Sequence, residues 1–176
     1  MKRKMIRHYF VEASVMLLLA SCSHYSFYQR SNPHLQTVMI PEFKNNSERY
    51  ELSEVVTDNL TRYFIEDRRL KVKPSDADME VIGTIISYDE SVYSYTMSEE
   101  PLEWQITIQF SIEVIDRVKD KNLWKADNLV LTALYADPNA PADTSSETTN
   151  LSEEEAWEEV SYALADMILA NSLEQW

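Results

Sequence analysis

Cysteine and glycine each occur once in 176 residues, and histidine three times. A single cysteine, Cys22, cannot close an internal disulfide, and it excludes the Cys-rich zinc sites that need two to four thiolates. Gly83 is the sole glycine, so no glycine-rich loop can cradle a phosphate in this chain. Basic side chains are scarce: 16 Lys and Arg face 30 Asp and Glu, a net charge of −14. Four of the basic residues (Lys2, Arg3, Lys4, Arg7) and one acid (Glu12) precede Cys22. From Cys22 onward the chain therefore carries 12 basic and 29 acidic residues, a net of −17. Such a field repels a polyanion, which argues against nucleic acid as a partner. Long apolar runs are also missing. The longest, Tyr9 to Leu19, falls short of the ~20 residues a membrane-spanning helix needs.

What is present begins at the amino terminus. Met1 to Arg7 is a basic stretch, Tyr9 to Leu19 an apolar one, and Leu19-Ala20-Ser21-Cys22 closes it with small residues before the thiol. Order and lengths are those of a secretory signal peptide, residues 1–21, and the last four residues look like a bacterial lipobox. Cleavage between Ser21 and Cys22 would leave Cys22 as a lipid-bearing first residue, with a covalent diacylglycerol and an N-acyl chain such as palmitate. Two or more chains anchor stably where one does not. The alternative is an uncleaved apolar start with an incidental cysteine, which Glu12 inside the run favours. Ser23 rather than Asp after the cysteine points to the outer membrane, on its periplasmic side.

Residues 22–35 read as a lipidated tether and residues 36–176 as one domain. Gln36 to Ile40 is a short strand stopped by Pro41. Asn45-Asn46-Ser47 offers turn and cap chemistry for a helix from about Tyr50 to Arg68. Leu52, Val55, Val56, Leu60, Tyr63 and Phe64 share one face of that helix. Met79 to Tyr95 contains a strand. Glu103 to Asp116 alternates strictly, with Trp104, Ile106, Ile108, Phe110, Ile112 and Val114 on one side. Gln105, Thr107, Gln109, Ser111 and Glu113 lie on the other, the pattern of a strand with one face in a core and one in water. Lys119 to Asn122 is a turn into a strand from about Leu123 to Tyr135. Asp137 to Asn150 is a loop, and Ser152 with Glu155 forms a capping box. The helix that follows buries Ala156, Val160, Ala163, Leu164, Met167 and Ile168. The order β-α-β-β-β-α predicts an α+β fold: two helices on one face of a four-stranded, mostly antiparallel sheet.

With those elements in place, the chain resembles the LptE family of lipopolysaccharide-assembly lipoproteins. The resemblance runs through Cys22 and Tyr25-Ser26-Phe27, then Pro33 to Ser47, Arg69-Leu70-Lys71-Val72, Ala77 to Tyr88, and Leu123-Trp124 before Tyr135. Ser23-His24 departs from it, since relatives often carry a glycine after the cysteine. The resemblance implies a non-enzymatic, lipid-anchored outer-membrane protein of a Gram-negative envelope. Such a protein plugs a large β-barrel translocon (LptD) from the periplasmic side, helps it fold and assists lipopolysaccharide insertion. The alternative is a lipoprotein subunit of another envelope or secretion complex with a similar small α+β domain.

Enzymatic chemistry finds little support in the residues. His24 and His34 read as solvated loop residues without metal-ligating companions, so no metal and no cofactor beyond the acyl chains is expected. Glu153-Glu154-Glu155 and Glu158-Glu159 read as a solvated helix face, and Glu99-Glu100-Pro101 as a hairpin tip. No serine sits in a nucleophile-elbow pattern. A standard β-α-β crossover runs its two strands parallel. Arg68, Arg69, Lys71, Lys73, Arg117, Lys119 and Lys121 then gather at the end where the tether arrives, while Glu99, Glu100, Asp137, Asp143 and the Glu-rich helix start gather at the other. The basic end is the candidate surface for lipopolysaccharide phosphates or anionic lipid; the alternative is a set of helix-end and turn charges without a ligand. The wet residues Gln105, Thr107, Gln109 and Ser111 form a candidate surface against a polar barrel lumen.

Overall fold

A computed structural model describes residues 32–140 and 149–174. Its elements run β1 (Thr37–Met39), β2 (Lys44–Asn45), α1 (Leu52–Asp67), β3 (Lys71–Val72), β4 (Met79–Tyr95), β5 (Pro101–Asp116), β6 (Lys121–Ala136) and α2 (Glu153–Leu173). The sheet is mixed and has six strands in place of four, in the order β3-β1-β4-β5-β6, with β2 also paired to β4. β1 runs parallel to both β3 and β4, and β2 parallel to β4. The long meander β4-β5-β6 is antiparallel.

Both added strands have only two residues, too few for a period of two to show. β2 is the first strand resumed after Pro41, which has no N–H to give a ladder. β1 pairs with the start of β4 (Val38 with Met79), and β2 pairs further along it (Lys44 with Thr84). Between them Phe43 turns inward, 2% exposed, and its ring covers Gly83. The Phe43 N–H donates to Thr57 Oγ1 at 3.0 Å, tying this crossing to α1.

Both helices cover one face of the sheet. α1 buries Leu52, Val56, Asn59, Leu60 and Phe64, while Val55 and Tyr63 are half-buried at its margin. Asn45 does not cap α1. Its side chain accepts from the Ser47 N–H at 2.9 Å and donates to the Arg49 carbonyl at 2.7 Å, while the N-cap residue is Glu51. Arg68 closes the helix in the left-handed region, φ 61°, with its N–H on the Phe64 carbonyl. The capping box of α2 is present on Ser152 and Glu155. The buried stripe of α2 includes Trp157, Ser161, Ala165 and Leu169 beside Ala156, Val160, Leu164 and Ile168, whereas Ala163 is exposed and Met167 half-buried. The helix packs against α1 as well as the sheet, so its inward face is turned from the expected one. At that seam Tyr63 and Tyr162 meet edge to face, centroids 5.0 Å apart. The Tyr63 hydroxyl donates to Asp166, and chiefly for that reason its pKa rises to about 12.

Residues 32–35, placed by their composition in the tether, pack onto the domain. Leu35 is fully buried. Asn32 Nδ2 donates to the Ser172 carbonyl at 3.0 Å. His34 Nε2 lies 2.6 Å from Asp116 Oδ2, so this histidine is a bound residue and not a solvated one.

Candidate functional site

The strand register decides which charges share an end of the domain. β1 and β3 align Thr37 with Lys71, and β4 pairs Met79 with Asp116. The Arg117 N–H donates to the Asp78 carbonyl at 2.8 Å, and the Lys73 N–H to the Val38 carbonyl at 2.9 Å. Lys71, Lys73, Arg117, Lys119 and Lys121 therefore lie along one end of the sheet, beside the end of α1 that carries Arg68 and Arg69.

These cations are not equivalent. Arg69 is held by Asp67 at 2.7 Å and Glu174 at 2.5 Å, and Arg117 by Glu80. Among the described residues Arg68, Lys71, Lys73, Lys119 and Lys121 have no carboxylate within 4.0 Å. Arg68 and Lys71, with Ile65, Leu70 and Val72, line a cleft of about 380 Å³.

Two carboxylates organise this end from beneath. Asp78 Oδ2 accepts from the Gln36 N–H (3.0 Å), the Thr37 N–H (2.9 Å) and the Thr37 hydroxyl (2.8 Å). The Asp78 N–H returns a bond to Thr37 Oγ1. Those donors, the Gln36 amide first, hold the Asp78 carboxyl below the usual carboxylate range. Asp116, with a side chain 1% exposed, accepts from the Val118 and Lys119 amides at 2.9 Å each and contacts His34. Burial pushes its carboxyl up, but the bonds from His34 and the two amides outweigh that and leave it lowered. Asp116 thereby shapes the turn that carries Lys119 and ties it to the incoming chain.

The opposite end is acidic. Glu99, at φ 62°, and Glu100 form the β4–β5 turn. The Asp137 N–H meets the Leu102 carbonyl there. The Asp137 carboxyl is lowered by Trp104 Nε1, which donates at 2.7 Å, and by the Asn139 amide. A cleft of about 440 Å³ runs between Tyr135–Pro138 and Asn150–Glu155. Asp143 lies outside the described residues, as do Ser21 and Cys22.

Sequence reasoning missed the cation of this end. Arg49 Nη2 bonds Glu90 at 3.0 Å and Glu153 at 2.9 Å, and its guanidinium lies 5.2 Å from the Tyr88 ring centroid. The Tyr88 and Tyr135 hydroxyls also donate to Glu90, and Tyr88 donates to Glu153. Glu153 is thus a structural partner, only 29% exposed, and not a solvated residue. Glu155 is held by Ser152. No periodicity marks Arg49; it lies in the loop before α1.

The uncovered face of the sheet carries Gln105, Thr107, Gln109 and Ser111, all half-buried. They sit in a lateral network: Ser87 donates to Gln109 Oε1 at 3.3 Å, and Gln109 Nε2 to Asn128 Oδ1 at 3.0 Å. Thr107 stands between Asp89 and Thr132 on the neighbouring strands. Asp78, Glu80, Glu90, Asp116, Asp137, Glu153 and Glu155 are engaged by backbone amides, arginines, hydroxyls, His34 or Trp104. The molecule is a small α+β domain with one polar sheet face and two ends of opposite charge.

The sequence places that domain in a particular family. Residues 35–172 match the family model LptE, described as lipopolysaccharide-assembly, and the chain belongs to the LptE family. The family is one of non-catalytic assembly proteins. No curated protein sequence matches the chain significantly. Among solved structures, the hypothetical protein CT253 from Chlamydia trachomatis superposes with a TM-score of 0.55 at 10% identity, over 80% of this chain and 99% of that one. Lipoprotein GNA1162 from Neisseria meningitidis aligns over 76% of this chain and 97% of its own (TM-score 0.44, 11% identity). Rare lipoprotein B from Shewanella oneidensis aligns over 74% and 90% (TM-score 0.39, 17% identity). CT253 shares the fold.

Proposed function

We propose that this protein is a lipid-anchored outer-membrane component of lipopolysaccharide assembly, acting as partner and plug of a large β-barrel translocon. The family match, which spans the folded domain from Leu35 to Ser172, carries this reading. Cys22 supplies the anchor, with its diacylglycerol and N-acyl chain, once the signal peptide is cut at Ser21. The domain then hangs on the periplasmic side of the outer membrane. Chain entry at His34, beside Asp116, agrees with that arrangement, because residues 32–35 join the domain at its cation-rich end. Arg68, Lys71, Lys73, Lys119 and Lys121 meet the phosphates of lipopolysaccharide or anionic lipid, with Arg69 and Arg117 bracing that surface. Gln105, Thr107, Gln109 and Ser111 face the polar interior of the barrel.

Affinity capture from detergent-solubilised outer membrane tests the reading. A large barrel protein should be retained together with lipopolysaccharide, and Cys22→Ser should release the chain from the membrane fraction. Retention of a secretion-channel or other envelope subunit, with no barrel of the lipopolysaccharide pathway, would replace this reading with that of a different complex.

A further inference from the structure

One edge of the sheet is left open. β6 is the terminal strand and runs 16 residues, from Lys121 to Ala136. Two bonds at its carboxyl end fix which way its backbone points. The Asp137 N–H reaches the Leu102 carbonyl of β5, at 3.0 Å, while the Ala136 N–H points away and meets the Leu151 carbonyl at 2.9 Å. Alternation along a strand then turns Leu131, Ala133 and Tyr135 toward β5 and Val130, Thr132 and Leu134 outward. Among the described residues nothing pairs with the outward N–H and C=O groups of those three. The bulge between Phe110 and Ile112 lies before this stretch, so the ladder from Leu129 to Ala136 is regular.

Edge strands are normally blunted by lysine, proline or a bulge. The first half of β6 is protected in that way, with Lys121, Lys125, Asp127 and the bulge. The second half, Leu129-Val130-Leu131-Thr132-Ala133-Leu134-Tyr135-Ala136, has no charge, no proline and no glycine. Its Val130 is 52% exposed. At the Ala136 rung the outward N–H already has an acceptor, the Leu151 carbonyl of the same chain.

We infer that the edge Leu129–Ala136 of β6 is completed by an extended segment of the barrel partner, which adds as a further strand. This inference rests on the barrel partnership proposed above. A second copy of this chain is a poor occupant, because two chains that each carry a net charge of −17 from Cys22 onward repel one another. The barrel wall is excluded as well, since its strands are already paired all round. The segment is therefore an extended loop or tail of that protein. It carries apolar residues on both faces, to meet Val130 on one and Leu131 on the other, with Lys or Arg at its ends to suit the acidic domain. Backbone bonds supply the affinity and alternate side chains the selectivity.

Residue-resolved amide exchange on the full-length chain, alone and in complex with the purified barrel protein in detergent, tests this. Alone, the Val130, Thr132 and Leu134 amides exchange fast while those of Leu131, Ala133 and Tyr135 are protected. In the complex the first three should slow by about tenfold or more. Unchanged exchange at those three in a complex that forms overturns the edge inference and leaves the barrel partnership standing. A chain that forms no complex overturns both. Protection that rises with the concentration of the chain alone marks a second copy as the occupant and also overturns the inference. Thr132→Pro and Val130→Pro each remove one outward N–H and no bond to β5. With melting close to the unaltered chain they should retain about tenfold less barrel protein, and equal retention counts against the edge. Should both variants fail to fold, the exchange comparison decides alone.

Discussion

The ring of Phe43 occupies the space where any side chain at position 83 would begin. A Cβ on Gly83 would collide with Cε2, Cζ and Cδ2 of Phe43, itself held in place by Thr57 on α1. The one glycine of the chain is thus explained by a packing contact, while its backbone lies in a regular strand. Gly83→Ala should destabilise the fold by about 1–3 kcal/mol through overpacking, measured by urea unfolding. Pairing it with Phe43→Leu should recover part of that loss. Equal stability of Gly83→Ala and the unaltered chain would show that Phe43 can move aside.

His34 and Asp116 join the incoming chain to the β5–β6 turn. His34→Ala leaves Asp116 Oδ2 buried without that donor and should cost about 1–3 kcal/mol. Proteolysis should then cut near residues 32–35 more readily than in the unaltered chain.

Acid should weaken the domain by a route that can be assigned. Asp78, Asp116 and Asp137 all have folded pKa values below the ordinary carboxylate value. Their contribution is complete above the unfolded value, about 3.9, and is lost as pH falls through the lowered folded values. Urea midpoints measured from pH 7 downward should hold until about pH 4 and then fall. Asp116→Asn should start lower and fall less steeply, and an unchanged slope would remove Asp116 from the account.

Arg49 is the only arginine or lysine bonded to Glu90 and Glu153 among the described residues. Arg49→Met should cost about 1–2 kcal/mol, since the group is partly solvated and its loss leaves two carboxylates facing each other. Adding Glu153→Gln should return a measurable part of it, and strict additivity of the two changes would show that the pair is not coupled.

Ser152→Ala removes one half of the capping box on α2 and should lower stability by about 1 kcal/mol. Glu155→Ala, the other half, should give a smaller loss, because the high helix propensity of alanine at this helical position offsets part of it.

For the basic end the expected outcome is functional. Neutralising Arg68, Lys71, Lys119 and Lys121 should weaken lipopolysaccharide binding and flatten its salt dependence while leaving the melting temperature nearly unchanged, since among the described residues none of the four sits in an ion pair within 4.0 Å. Unaltered binding would end the assignment of this surface.

How much of this was legible in the sequence differs from element to element. β5 could be read to within two residues, because strict alternation over a long strand has one physical reading, while for β4 only the presence of a strand within Met79–Tyr95 could be read. The Ser152–Glu155 cap was legible for a similar reason, its chemistry being confined to four residues. The face of α2 was harder: its helix packs on both α1 and the sheet, so the buried stripe is broader than a single-face pattern and includes Ser161 and Ser172. The gathering of cations at one end could be argued from topology alone. Which of them are paired could not, because Glu174 and Glu80 are distant in sequence from Arg69 and Arg117.

By itself the sequence determined the α+β class, the long meander and the family, since each is written in local order, periodicity or continuous similarity. The tertiary structure alone decided the parallel edge made by β2 and β3, the fit of Phe43 on Gly83, the binding of His34 to Asp116 and the open side of β6. Those features depend on which residues meet across 40 to 80 positions of chain, and no local pattern encodes such a meeting before the sheet has closed.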